Sequence, residues 1–320
     1  MKKLTYLITA VAAAFSATAH ADVSVSGSGS ASYVNDRAGE GNVIVGSAVS
    51  FALSTTTANG IGISTSLALS QDPDADGGPA GDGGQAVTFT TGGTTIVVGD
   101  VEIGDTPGSI GGVVGGIVGD NNGLNTSVET AFDDDDGTGV TLTTAVGGST
   151  LTIGYIGDLN TNDNGNLDAA TAETANSASI SMPMGALTIT AGIANSDTEN
   201  SAGATAAYAL GGGTLTVGMS QLSLTAALTG DATADDLAAN GDSTIAGATY
   251  AMSLDADTSI SVGYQSAKDG DSESHTQTDL SISRSLGGGA SVYLDVRTLS
   301  GDTAANGSGT AIGFGTSVSF

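Results

Sequence analysis

Cysteine is absent from the 320-residue chain, so disulfides do not hold the fold together. Basic residues are scarce as well. Six Lys and Arg stand against 34 Asp and Glu, a formal charge of −28. Binding to nucleic acid depends on cationic side chains that displace counter-ions, so nucleic acid is excluded as a partner. No apolar run reaches the roughly 20 residues that a membrane-spanning helix requires. Tryptophan is missing and aromatics make up 4% of the chain. High net charge with few aromatics can signal disorder. Here, however, Val, Leu and Ile recur with a fixed period and the acids collect between those stretches, so the chain is patterned rather than merely polar.

Groups for catalysis are equally few. Beyond the N-terminal leader one histidine remains, His275, beside Ser274 and near Asp269 and Asp271 in a segment read as a loop. A triad needs a base within reach of a nucleophile and a preformed oxyanion hole, and the chain is therefore read as not an enzyme. The 50 glycines lack the three-residue period of collagen and suit many tight turns. None of the glycine-rich segments ends in Gly-Lys-Ser/Thr or opens a helix, so phosphate binding by that route is excluded.

What is present begins with a leader. Met1-Lys2-Lys3 is a basic n-region, Leu4 to Phe15 is apolar, and Ala19-His20-Ala21 is a small-residue cleavage site before Asp22. Residues 1–21 are read as a signal peptide and 22–320 as one domain. Cleavage removes two lysines, which takes the formal charge from −28 to −30.

The domain is a succession of alternating segments. From Val23 to Tyr33, Val23, Val25, Gly27, Gly29, Ala31 and Tyr33 share one face, and Ser24, Ser26, Ser28, Ser30 and Ser32 share the other. Five serines in register suit a water-filled lumen better than a dry core. The pattern recurs at 43–54, 61–70, 86–91, 94–99, 139–146, 149–156, 177–182, 186–194, 203–210, 214–222, 244–252, 258–266, 276–285, 290–298 and 310–320, giving sixteen segments. Short glycine-rich connections such as Gly92-Gly93 and Gly147-Gly148 take turns with long acidic ones such as 71–85, 157–176 and 229–243. That asymmetry belongs to an outer-membrane barrel, and it closes with an even count when 100–138 is a single long loop after the fifth strand. The final segment places Ile312, Phe314, Val318 and Phe320 on one face, and Phe320 is also the last residue.

These features together resemble the general bacterial porins of Gram-negative bacteria, the trimeric outer-membrane diffusion channels. The resemblance rests on the opening Asp22-Val23-Ser24-Val25-Ser26-Gly27, the segment Gly93 to Asp100 leading into the long third external loop, the glycine hairpins, and terminal Phe320. It implies an all-β fold, a 16-stranded antiparallel transmembrane barrel whose third loop folds into the lumen. It further implies a homotrimer in outer-membrane lipid, passing small hydrophilic solutes and cations, with Phe320 read by the barrel assembly machinery. Asp100, Glu102, Asp105 and Asp120 are then the acidic side of the constriction. Two departures are visible. The early lumen-facing positions, such as Ser50, Ser64, Ser66 and Ser70, carry no arginines to oppose that acidic side, and the aromatic girdles are thin, with Tyr33, Tyr155, Tyr208, Tyr250, Phe314 and Phe320 falling on lipid-facing positions.

Strand parity sets which way the individual charges face. Asp295 and Arg297 face the lumen wall, with Asp295 expected as the partner of Arg297, whereas Arg284 points outward near a short turn. No cofactor is required by anything in the chain. Runs such as Asp133-Asp134-Asp135-Asp136 and Asp72-Pro73-Asp74-Ala75-Asp76-Gly77 offer oxygens to Ca²⁺, although Gly83 stands where a closing glutamate belongs in the second. The alternative architecture is a secreted or surface-attached, Ca²⁺-stabilised β-rich adhesin, which a fixed short repeat would favour.

Overall fold

The computed structural model describes residues 22–35, 41–71, 86–102, 136–159, 173–196, 199–224, 243–269, 275–300 and 308–320. Sixteen strands run in chain order: β1 Asp22–Asn35, β2 Gly41–Thr56, β3 Gly62–Gln71, β4 Ala86–Thr91, β5 Thr94–Glu102, β6 Asp136–Val146, β7 Ser149–Leu159 and β8 Glu173–Met184. The second half comprises β9 Leu187–Ser196, β10 Glu199–Leu210, β11 Gly213–Leu224, β12 Ser243–Ser253, β13 Thr258–Asp269, β14 His275–Gly287, β15 Ala290–Ser300 and β16 Gly309–Ser319. Each strand pairs with its sequence neighbours and β1 pairs with β16, so the sheet closes into an antiparallel barrel. Closure satisfies the backbone groups between strands, a condition set by a hydrocarbon surround.

Period-two alternation becomes inside and outside. Val23, Val25, Val43, Val45, Leu67, Leu69, Ile193, Met219, Val262, Leu294 and Phe314 are exposed on the outer surface. Tyr33, Tyr155, Tyr208 and Tyr264 join them there. In soluble proteins so much exposed apolar surface would drive association. Around a barrel it is the lipid-facing band.

Every connection of odd to following even strand lies at the end opposite the hairpins, and the hairpins are tight. Gly92 and Gly93 have φ of 56° and 81°, and Gly147 and Gly148 have 58° and 86°. Two successive positive φ values make the hairpin turn whose twist matches the flanking strands, and glycine adopts them without a Cβ penalty. Most strands run a few residues beyond the alternating segments, and three of the differences move a named residue or connection. Pro183 and Met184 belong to β8, which runs past the expected segment end at 182, and His275 opens β14 opposite Ala267 instead of lying in a loop. The long connection expected at 100–138 is 103–135, because the β5–β6 ladder continues through Asp100↔Thr138 to Glu102↔Asp136. The inward course of that third connection lies outside the described residues.

Barrel closure is staggered. The chain ends opposite Gly27, where Gly27 N–H donates to Phe320 O at 2.9 Å and Phe320 N–H donates to Gly27 O at 3.0 Å. Asp22 to Ser26 therefore extend past the last residue and pair with β2 alone, so Val23 meets Leu53 rather than β16. Gly27 is buried under the Phe320 ring, which occupies the space a Cβ would need. Tyr250 covers Gly213 in the same way, its hydroxyl donating to Leu210 O at 2.9 Å. These aromatic covers restore side-chain packing where strand glycines provide none.

The inner wall is not uniformly polar. Val34, Ile44, Leu299 and Ala311 form one buried apolar patch toward the long-connection end, and Val101, Ile156, Ala175 and Ala194 form a second. The serine alternation of β1 did not foretell these: Val34, Val101, Ala175 and Leu299 lie where strands extend beyond the alternating segments, and Ile44, Ile156, Ala194 and Ala311 are apolar residues on the inward parity within them.

Candidate functional site

The lumen wall is the inward half of every strand. Ser24, Ser26, Ser28 and Ser30 of β1 are open to the lumen, and Ser50, Ser64 and Ser66 continue that polar lining on β2 and β3. Lysine and arginine are absent from β1 through β12. Three basic residues lie on the described strands: Lys268, Arg284 and Arg297. Lys268 shares its face with exposed Val262 and Tyr264, so it points outward.

Arg284 also points outward, opposite Thr258. Its Nη1 donates to Thr258 Oγ1 at 2.9 Å and lies 3.6 Å from the Asp255 carboxylate in the β12–β13 turn. Asp255 also accepts the N–H groups of Asp257 and Thr258, each at 2.8 Å. The Asp257 N–H, followed by the Thr258 hydroxyl, holds the Asp255 carboxyl below its ordinary value. The turn thus supplies a partner to an arginine that the strand parity directs away from the lumen.

Arg297 faces inward, and antiparallel register sets it opposite Asp279 on β14. Its Nε donates to Asp279 Oδ1 at 2.7 Å, and Gln277 Nε2 donates to Asp279 Oδ2 at 3.0 Å. Both charged side chains are less than one-tenth exposed. The sequence reading joins Arg297 to Asp295, two residues along its own strand; the register adds Asp279 directly opposite, and Asp295 also feels the Arg297 charge. A directly opposed cross-strand neighbour lies closer than a residue two positions away on the same strand. Asp295 stands opposite Ser281 and accepts its hydroxyl. Asp279 and Gln277 were missed, although a usable signal exists: both alternate with Leu280 and Ile282 and so fall on the inward parity.

The constriction residues divide. Asp100 and Glu102 lie on β5, not in a loop, and Asp100 shares its parity with exposed Val98 while Val97 and Val101 take the inward positions. Asp100 is therefore on the outer face. Asp105 and Asp120 lie outside the described residues. So do Asp133, Asp134 and Asp135, while Asp136 opens β6 opposite Glu102. Among the described residues no group of three or more acidic, histidine or cysteine side chains is arranged to hold a metal ion.

A closed barrel with an even number of antiparallel strands, an apolar outer band and a hydroxyl-rich interior defines an outer-membrane channel. The family model for Gram-negative porins matches residues 9–304, and the chain belongs to this family. It resides in the outer membrane as a diffusion channel. Among solved structures it is similar to a porin refined at 1.8 Å resolution, with a TM-score of 0.65 and 17% identity over 93% of this chain and 100% of that one. It is similar also to an anion-selective porin from Comamonas acidovorans, with a TM-score of 0.65 and 14% identity over 94% and 100% of the two chains. The trimer form of Vibrio cholerae OmpT matches with a TM-score of 0.66 and 11% identity over 94% and 99%. Identities this low bear on the fold alone. No curated protein matches the chain. The adhesin alternative has no support in these findings.

Proposed function

We propose that the protein is a homotrimeric general porin that favours cations while passing small hydrophilic solutes by passive diffusion. The observation that carries the sign is the charge of the inner wall. Among the described residues of β14 and β15, the inward charges are Asp279, Asp295 and Arg297, and the single cation is ion-paired to Asp279 at 2.7 Å. Asp295 remains as net negative charge. A barrel of the same fold is described as anion-selective, so architecture alone does not fix the sign. Fixed charge along a narrow passage does, by concentrating counter-ions and repelling co-ions. The overall charge of −28 adds external acids of the same sign, which matter less beyond a Debye length of ~10 Å at 0.1 M salt. The trimer follows the family resemblance, and a neighbour's trimer form accords with it.

Reversal potentials across a planar bilayer under a salt gradient test the reading. Wild type should show cation preference, and replacing the inward Asp295 by asparagine should move it toward neutral, most clearly at low salt. An anion-selective wild type would overturn it.

A further inference from the structure

The strands β11 to β14 leave a recess on the inner surface. Its volume is about 350 Å³, and Thr214, Ala251, Ser253, Ser259, Ser261 and Ser281 line it. Register explains the arrangement. Thr214 opposes Ala251, Ala251 opposes Ser261, and Ser261 opposes Ser281, so four strands present one continuous inward rung. Ser281 in turn opposes Asp295 beyond the lining and donates its hydroxyl to that carboxylate. Ala251 is the short member of the rung, and its missing bulk leaves the depression between Thr214 and Ser261. Ser253 and Ser259 form the rung beneath, where the Ser259 hydroxyl lies 2.7 Å from that of Ser283.

One hydroxyl lining the recess is unsatisfied. Ser261 Oγ is sealed from solvent and has no hydrogen-bond partner among the described residues. A buried hydroxyl without a partner is destabilising, and a rotation about χ1 is all that separates a serine oxygen from a group placed beside it. The lining contains no ionisable side chain. An anion would need cationic N–H donors, and Arg297, one rung above, is committed to Asp279. Hydroxyls both donate and accept, which matches a solute that presents several O–H groups. The volume falls at the small end of ligand pockets, about 300–1,000 Å³.

We propose that this recess is a weak binding subsite for small neutral polyhydroxylated solutes of monosaccharide size, positioned along the passage of the diffusion channel. The inference rests on the channel reading above. Weakness is part of the function, since a channel site must be favourable enough to enter and labile enough to leave.

The test uses the full-length protein in planar bilayers with glucose as the probe. Conductance in KCl alone reports the channel itself, so its failure is distinguishable from failure of the subsite. In wild type, glucose should reduce the current and raise its noise in a saturable manner. Ser261→Val and Thr214→Val should each shift half-saturation by about fivefold, the loss of roughly one hydrogen bond. Ala251→Leu, which fills the depression, should abolish saturation while KCl conductance persists. Heat-modifiable migration on a detergent gel confirms that each variant folds, and Ser261→Val carries the test if Ala251→Leu does not. A current that falls linearly with glucose, as from viscosity alone, overturns the proposal, as does saturation that is unchanged in the variants.

Discussion

Replacing Arg297 by methionine removes the guanidinium from the buried pair on β14 and β15 and leaves the Asp279 carboxylate with Gln277 as its donor at 3.0 Å. The partners meet at 2.7 Å with side chains 5% and 8% exposed, so the carboxylate is not rescued by bulk water. Taking one partner from a buried ion pair costs about 3–5 kcal/mol, because an uncompensated charge remains behind. Arg297→Met should destabilise the barrel by an amount of that order. Asp279→Leu with Arg297→Met together should recover much of the loss, since an apolar pair of similar volume removes both desolvation penalties. A double-mutant cycle between Asp279 and Arg297 should give a coupling of about 1–3 kcal/mol, and the cycle between Asp295 and Arg297 should give less. Urea unfolding of refolded protein in detergent micelles, followed by far-ultraviolet circular dichroism and by heat-modifiable migration, measures all of these. Reversal potentials supply a second readout, as loss of the cation should strengthen cation preference. A single variant within about 0.5 kcal/mol of wild type, or a stronger coupling to Asp295 than to Asp279, would refute the reasoning.

Asp100→Asn alone should leave the reversal potential unchanged, because its parity is that of Val98 on the outer face; a shift toward neutral from this single change would place it in the passage. Deleting Phe320 removes two backbone hydrogen bonds to Gly27 and the ring that covers it, and the yield in outer-membrane fractions should fall while leader processing continues; wild-type yield would exclude an assembly role. The Asp255 carboxyl is depressed by its turn donors, so its contribution to stability is complete above the unfolded value and disappears as pH falls through the lower folded one. The stability difference between wild type and Asp255→Ala, read by urea midpoints, should therefore be present at neutral pH and shrink only in strong acid; a difference that is independent of pH would show that the turn does not depend on the ionised carboxylate.

Strand number, the two faces and the positions of the tight turns are local properties, and the amino-acid sequence determines them unaided. A two-residue period is set by the geometry of a single extended chain, and Gly-Gly pairs mark hairpins because few other residues tolerate two successive positive φ values. For that reason the inward serines of β1 to β3 and the outward Tyr33, Tyr155 and Phe314 were legible, as was the inward parity of Asp295 and Arg297. Asp100 was legible too: its alternation with Val98 places it outside, although family resemblance had assigned it to the constriction. Tertiary structure decided whatever depends on register between strands. Stagger of the closed sheet brings Phe320 against Gly27 instead of Val23. The β14–β15 register sets Arg297 against Asp279, a partner that strand parity alone does not name, and the registers from β11 to β14 align Thr214, Ala251, Ser261 and Ser281 around a recess. A one-residue slip in any of these ladders would preserve the composition of every strand and turn its side chains to the opposite face of its neighbours. Alternation within one strand carries no information about which residue of the next strand it meets; closure of the barrel supplies it.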